Sequence, residues 1–117
     1  MAVVDDDQAV REALPDLLRE FGLAAHAFAS AEELLAFDDL GGCSCLILDI
    51  AMPGMTGLDL QRELKQRGYG MPIIFITAQT DAMIRARAAE AGAVGVLLKP
   101  FSDTALLAAL DTALGTG

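Results

Sequence analysis

The sequence has few of the residues on which disulfide-rich, nucleic-acid-binding or membrane-spanning proteins depend. Only two of its 117 residues are cysteine, which excludes a disulfide framework, so we expect a reducing, cytosolic compartment. Eight Lys and Arg residues stand against seventeen Asp and Glu, and the net charge is -9. Such a charge disfavours binding to nucleic acid or to an anionic membrane. No apolar stretch reaches membrane-spanning length, and no basic, apolar leader pattern is found.

The two cysteines and the single histidine do not form a metal-binding pattern. Cys43 and Cys45 lie two positions apart, so in a strand their side chains would point to opposite faces. This geometry disfavours a disulfide or a shared metal, and we expect two small, buried apolar residues. His26 has no Cys or His nearby, so an exposed strand residue is the simpler interpretation.

Apolar runs alternate with helical patterns along the whole chain, which indicates repeated strand–helix units. A hydrophobic content of 54% can build a packed core without disulfides or a structural metal. The pattern predicts strands at Ala2–Val4, Ala24–Phe28, Ser44–Leu48, Pro72–Ile76 and Val94–Leu98. It predicts helices at about Asp7–Phe21, Ala31–Phe37, Gly57–Arg67, Asp81–Ala91 and Ser102–Leu114.

These elements predict a single domain over residues 1–117 with a flavodoxin-like, doubly wound α/β fold. Right-handed crossovers leave few topologies, and we expect a five-stranded parallel sheet in the order 2-1-3-4-5, covered by five helices. This order places the first and third strands side by side. Ligands of such sheets bind at the carboxyl ends of the strands, where the strand order reverses.

Several local patterns carry further expectations. Pro15 lies inside the first helix and should cost roughly 3 kcal/mol or kink it. Gly22 is expected to end that helix, and Ser30 with Glu33 predicts a capping box for the second. The last helix is expected to direct four leucines inward: Leu106, Leu107, Leu110 and Leu114.

Polar side chains stand at the carboxyl ends of four predicted strands. Asp5 and Asp6 follow the first strand, Asp49 the third, Thr77 the fourth and Lys99 the fifth. Because the carboxyl ends of parallel strands share one edge, we expect three carboxylates, a hydroxyl and an ammonium to meet there. Crowded carboxylates either raise their own pKa values or bind a cation, and hard oxygen ligands suit Mg²⁺.

This set of groups is suited to phosphoryl transfer. A carboxylate such as Asp49 can attack phosphorus, while Mg²⁺ and Lys99 neutralise charge and Thr77 donates a hydrogen bond. Each residue also has a simpler role: a helix N-cap and acidic first turn for Asp5–Asp7, a loop cap for Asp49, a helix cap for Thr77 and a solvated surface position for Lys99. Their convergence from four strand ends favours the functional interpretation.

Four segments together resemble a known family: Val3–Asp7, Leu48–Gly57, Ile76–Ala78 and Lys99–Phe101. The Asp-x-x-Met-Pro-x-Met-x-Gly string is the most specific of them. Over essentially its whole length, the chain resembles the receiver domain of two-component response regulators. The stretch beginning at Ser30 is most similar to receivers joined to helix-turn-helix transcription factors.

The resemblance implies that Asp49 accepts a phosphoryl group from a histidine kinase or phosphotransfer protein. Asp5, Asp6, Asp49 and the backbone carbonyl of Ala51 would hold Mg²⁺. The resemblance implies a cytoplasmic signalling switch rather than a turnover enzyme, with transcription regulation as the output of the whole protein.

The resemblance also assigns the remaining site residues. Lys99 would pair with Asp49 at rest and with the phosphoryl group afterwards, and its bond to Pro100 would be cis. Thr77 would turn toward the phosphate. The fourth helix, fifth strand and fifth helix would form the readout face and a candidate homodimer surface.

One departure from the family pattern concerns Val96, where receivers usually carry Tyr or Phe. A valine has no ring to move between buried and exposed positions, so a degenerate or stand-alone receiver acting as a protein-binding module is the alternative. Ala51 and Gln79 occupy the family positions that tune phosphate lifetime.

Two other functions are disfavoured by the residues. A phosphatase with an aspartyl nucleophile generally needs a second acid two residues later, where this chain has Ala51, and no cap segment encloses a substrate. A flavodoxin is disfavoured because Asp5, Asp6 and Asp7 would repel a flavin phosphate.

Overall fold

A computed structural model describes residues 1–78 and 82–115. Within these residues, one parallel sheet contains β1 (Ala2–Val4), β2 (His26–Phe28), β3 (Leu46–Asp49), β4 (Ile73–Thr77) and β5 (Gly95–Leu98). The helices are α1 (Gln8–Glu20), α2 (Ala31–Leu35), α3 (Gly57–Gln66), α4 (Ala82–Glu90) and α5 (Asp103–Leu114). The strand order is β2-β1-β3-β4-β5, so the predicted fold class and sheet order are confirmed.

The core is divided between the two faces of the sheet, because neighbouring residues of a strand point to opposite sides. On one face, Phe75 packs among side chains of α2 and α3. On the other, Ile74 packs among side chains of α1 and α5. Cys43 belongs to the first cluster and Cys45 to the second, and both are free and buried, as the sequence predicted.

Several strands and helices begin or end at other residues than the sequence predicted. β3 and β4 each extend one residue beyond the predicted boundary and include Asp49 and Thr77 as their last residues. β2 begins at His26 rather than Ala24, and α2 ends at Leu35 rather than Phe37. The predicted start of α4 at Asp81 lies outside the described residues.

Helix capping follows the sequence signals only in part. The Asp7 carboxylate accepts a hydrogen bond from the Ala9 amide at 3.0 Å, and α1 then runs through the buried Pro15. Gly22 follows this helix with φ +83°, as expected. The predicted capping box of α2 is only half formed.

At the start of α2, the Ser30 hydroxyl accepts from the Glu33 amide at 3.2 Å. The Glu33 carboxylate, however, accepts from the Ala29 amide at 2.7 Å instead of the Ser30 amide. The return bond therefore begins one residue earlier than the capping-box pattern predicts.

The prediction for Leu107 is wrong. Leu106 and Leu110 are buried, but Leu107 is 42% exposed. One residue further along a helix turns the side chain by about 100°, which takes Leu107 off the stripe that faces the sheet. Among the residues described, no helix has both the length and the apolar character needed to cross a bilayer.

Candidate functional site

Backbone hydrogen bonds fix the site residues at the carboxyl edge of the sheet. Asp49 and Thr77 end their strands, while Asp5 and Lys99 come one residue after theirs. The Asp5 amide donates to the Phe28 carbonyl at 3.1 Å, and the Lys99 amide donates to the Thr77 carbonyl at 2.8 Å. The sheet pairing therefore continues past the strand ends and fixes the backbone positions of Asp5 and Lys99.

Three carboxylates gather at this edge. One oxygen each from Asp5, Asp6 and Asp49 lies within 4.8 Å of the others. Asp5 is 0% and Asp49 is 4% exposed, whereas Asp6 is exposed to solvent. Like charges at this separation, two of them shielded from water, repel one another unless a cation or a proton joins them.

Lys99 provides one positive charge to the cluster. Its Nζ lies 2.8 Å from Asp5 Oδ2 and 3.5 Å from Asp49 Oδ2. The structure thus places it nearer to Asp5 than to Asp49. Burial alone would lower the pKa of Lys99, but its contacts with Asp5 and Asp49 outweigh burial and raise the pKa. The ammonium therefore stays charged at neutral pH, while three carboxylates require more than one positive charge.

A proton on Asp49 reduces the excess of negative charge. Burial, followed by the charge of Asp5, raises the pKa of Asp49 from 3.8 to about 7. Lys99 and the Ala51 amide, which donates to Asp49 Oδ1 at 3.2 Å, act in the opposite direction and do not compensate. A cation bound beside Asp49 would displace this proton, because it favours the charged form.

The residues fit a hard divalent cation such as Mg²⁺. Asp5 Oδ2 is buried, and its positively charged partner is the Lys99 ammonium at 2.8 Å. A buried carboxylate beside two other acids is a suitable ligand for a cation. The ligand set consists of oxygen atoms, as Mg²⁺ prefers, and contains no thiolate or imidazole.

The loop after Asp49 returns closely over the strand end. The Gly57 amide donates to the Ile50 carbonyl at 3.0 Å. A Cβ atom at Gly57 would collide with the Asp49 carbonyl and would lie 3.0 Å from the Ile50 Cα. Thr56 and Asp59 then form a capping box, each side chain accepting from the other's amide at 3.2 Å. Gly57 is needed here because only a residue without a side chain allows this approach.

We expect Gly57→Ala to lower the free energy of unfolding by about 2 kcal/mol, because the added methyl group pushes against backbone rather than against a flexible side chain. Urea denaturation measures the loss. Gly70→Ala is the matched control, since a Cβ there meets nothing within 4 Å and Gly70 does not have a positive φ. Equal stability of the two variants would contradict this prediction.

The sequence matches the family described as the response regulator receiver domain over residues 1–111. This chain belongs to the response regulator receiver family. Response regulator protein TodT of Pseudomonas putida is 46% identical over 112 residues, which cover 96% of this chain and 49% of TodT. Transcriptional regulatory protein FixJ of Azorhizobium caulinodans is 42% identical over 116 residues, 97% of this chain and 54% of FixJ.

The fold agrees with this assignment. A solved structure of response regulator StyR matches with a TM-score of 0.88 at 43% identity, over 97% of this chain and 58% of that one. The receiver domain spans about half the length of the curated relatives it matches. Receivers are signalling switches of two-component systems rather than turnover enzymes, and these relatives include transcriptional regulators.

One position of the receiver domain, Val96, departs from the usual family pattern. Val96 is partly buried, lies opposite Phe75 in the parallel register and packs against the cluster that contains Ala88 of α4. Val96 therefore adds an aliphatic side chain to the core cluster on this face of the sheet. The Lys99–Pro100 bond is cis, as the resemblance implies, and Gln79 lies outside the described residues.

Two residues near the site were not identified from the sequence. Arg11 Nη1 donates to the Asp5 carbonyl at 3.0 Å, so the first turns of α1 support the position of Asp5. The available signal was an arginine four residues after the cap Asp7, on the turn that faces the strand end. Gln61 is a buried polar residue of α3. The sequence around it does not distinguish it from a glutamine on the exposed face of a helix.

Proposed function

We propose that this receiver domain takes a phosphoryl group onto Asp49 from a histidine kinase or phosphotransfer protein, with Mg²⁺ held by Asp5, Asp6, Asp49 and the Ala51 carbonyl. The observation that carries the proposal is the buried Asp49 carboxyl beside the two other acids and 3.5 Å from the Lys99 ammonium. An acid in this position is both a nucleophile and a cation ligand.

The transfer replaces one bond to phosphorus with another. An ionised Asp49 oxygen attacks phosphorus, the P–N bond to the donor histidine breaks, and its electron pair remains on the imidazole nitrogen. The product is an acyl phosphate. Lys99 provides positive charge beside the transferred oxygens. Bound Mg²⁺ would neutralise charge on the phosphoryl group and keep Asp49 ionised.

Phosphorylation is proposed to act on the rest of the domain through Thr77. This residue ends β4, is fully buried and precedes α4 by a few residues. Its hydroxyl would donate to a phosphoryl oxygen and draw the following segment toward the site. The face formed by α4, β5 and α5 would then bind a partner or a second copy. As part of a longer cytoplasmic protein, the domain would control transcription without itself binding nucleic acid.

Incubation with acetyl phosphate and Mg²⁺ tests this function. Intact-mass measurement should show one phosphoryl adduct on the wild-type domain and none on Asp49→Ala, because the nucleophile is removed. Removal of Mg²⁺ with a chelator should also prevent the adduct. Asp38→Asn, at an exposed position outside the site, is the matched control and should be modified like wild type. An adduct that persists in Asp49→Ala would refute the assignment.

Val96 favours one alternative, a receiver that binds a partner but does not switch. The small side chain at this position provides no ring to couple Thr77 to the face of α4, β5 and α5. Amide chemical shifts with Mg²⁺ and beryllofluoride, a phosphoryl mimic, distinguish the two functions. Shifts confined to the site would favour the binding module, whereas shifts across α4, β5 and α5 would favour the switch.

A further inference from the structure

Gln61 makes a long-range contact that the phosphorylation site does not use. Its side chain is on α3 and only 3% exposed, and its Nε2 donates to the Ala91 carbonyl at 2.9 Å. Burying an amide without a partner is costly, so this bond specifies how the two segments meet. Ala91 directly follows the last residue of α4.

Lys65, one turn further along α3, donates to the same carbonyl through its Nζ. The last carbonyls of a helix have no partner within the helix and carry a partial negative charge. An ammonium and an amide from α3 therefore cap the C-terminal end of α4 together. The Gly92 amide, which follows α4, also donates back to the Ala89 carbonyl, so the side chains of α3 add to a backbone cap at this end.

Backbone bonds tie the same end of α4 to the sheet. The Ala93 amide donates to the Ala88 carbonyl at 3.1 Å, and the Val94 amide donates to the Ile73 carbonyl of β4 at 2.9 Å. The C-terminal end of α4 is thus attached to α3 and to β4 within a few residues.

The body of α4 contributes less to its attachment, as far as its side chains are described. Among those side chains only Ala88 is buried, and Met83 is 67% exposed. A buried alanine contributes a single methyl group and therefore little apolar area. The described contacts therefore concentrate at the C-terminal end of α4, while its other end follows Thr77 in the chain.

We propose that Gln61 is a positioning residue of the switch: together with Lys65 it makes Ala91 the pivot about which α4 tilts. This inference rests on the proposed phosphorylation of Asp49. It adds that the movement of α4 is largest near Ala82 and smallest at Ala91. It also implies that Gln61 and Lys65, which bond to the Ala91 carbonyl, determine how α4 lies against α3.

Amide chemical shifts of the wild-type domain, recorded with Mg²⁺ and with or without beryllofluoride, test the pivot. We expect large changes at residues 82–85 and small changes at residues 91–93. Changes of equal size at both ends of α4 would refute the pivot.

Hydrogen exchange of the Gln61→Met variant tests the residue itself. Methionine keeps the length of the side chain and removes its donor, so amides of residues 91–93 should exchange about tenfold faster, the factor for one lost hydrogen bond. Gln66→Met, at an exposed position of the same helix, is the matched control and should leave these amides unchanged. Equal exchange in Gln61→Met and wild type would overturn the role of Gln61.

Gln61→Glu separates hydrogen bonding from packing. An ionised carboxylate cannot donate to the Ala91 carbonyl, but a protonated one can. Protection of residues 91–93 should therefore return as the pH falls below the pKa of the new carboxyl group, whereas the protection in Gln61→Met should not. A role in packing alone predicts no such recovery. Lys65→Met, at an exposed position, provides a second test if the Gln61 variants do not fold, and its exchange must also rise.

Phosphorylation of the same variants keeps the two proposals apart. Gln61→Met should still form the acetyl phosphate adduct, since Gln61 does not contact the site. Absence of the adduct in the wild-type domain would refute the proposed function. An adduct in every variant, with exchange at residues 91–93 unaffected, would refute only the pivot.

Discussion

Replacing Lys99 with methionine is expected to lower the free energy of unfolding at neutral pH by about 3 kcal/mol, because the loss of one partner leaves buried carboxylates without compensation. Lys99 is the cation that pairs with both Asp5 and Asp49 among the residues the structure describes. Methionine keeps most of the length of the side chain, so the effect reports charge more than packing.

The dependence on Mg²⁺ and pH identifies the origin of this loss. A divalent cation provides the missing positive charge, so Mg²⁺ should stabilise Lys99→Met more than wild type in urea denaturation. Lowering the pH from 7 to 5 should also reduce the deficit, because Asp49 takes up a proton more readily when Lys99 no longer favours its charged form.

Arg67→Met is the matched control for the Lys99 variant. Arg67 also forms an ion pair, with Glu63 at 2.9 Å, but its side chain is 48% exposed. The expected loss is at most about 0.5 kcal/mol, because solvent screens such a pair. A Lys99→Met variant that resembles this control, or that does not respond to Mg²⁺, would show that the ammonium does not balance the acidic cluster.

The sequence was sufficient to predict the fold and the edge of the sheet at which the site lies. Alternating apolar runs and helical patterns leave few topologies, and the polar residue after each run marks the carboxyl end of a strand. Asp5, Asp49, Thr77 and Lys99 could be located in this way because strand direction alone determines which edge they reach.

The other features of the site and the core depend on side-chain rotamers and helix packing, which the hydrophobic pattern of the sequence does not specify. Lys99 lies 2.8 Å from Asp5 and 3.5 Å from Asp49, a difference that rotamers decide. Leu107 was misplaced because one helical step separates an inward position from an outward one. The bond from Gln61 to Ala91 joins residues thirty positions apart and depends on how α3 and α4 lie against each other.

The raised pKa of Asp49 gives the domain an unusual dependence of stability on pH. In the folded state the pKa is about 7 instead of 3.8, so the folded protein binds this proton more tightly than the unfolded chain. The contribution of the group is fully present below about pH 4 and is lost as the pH rises through about 7. At higher pH the ionised Asp49 therefore destabilises the fold.

Asp49→Asn should remove this loss, since asparagine has a similar shape and does not ionise. We expect the variant to be more stable than wild type by on the order of 2 kcal/mol at pH 8, and the difference to vanish near pH 4. Urea denaturation over this pH range measures it. Lys99 retains Asp5 as a partner in the variant, so the substitution does not leave an unpaired ammonium.

Mg²⁺ and a control variant establish that the difference belongs to the site. Saturating Mg²⁺ should reduce it, because the cation binds the ionised Asp49 of wild type more tightly than the variant. Asp38→Asn, on the exposed surface, should show no comparable gain at any pH. If the stabilisation by Asp49→Asn were the same at pH 4 and pH 8, burial of an ionised nucleophile would not be its cause. If Asp49→Asn is more stable than wild type only at pH values where Asp49 is ionised, the buried charge is the cause. The fold would then lose stability in order to keep an ionised nucleophile at this position.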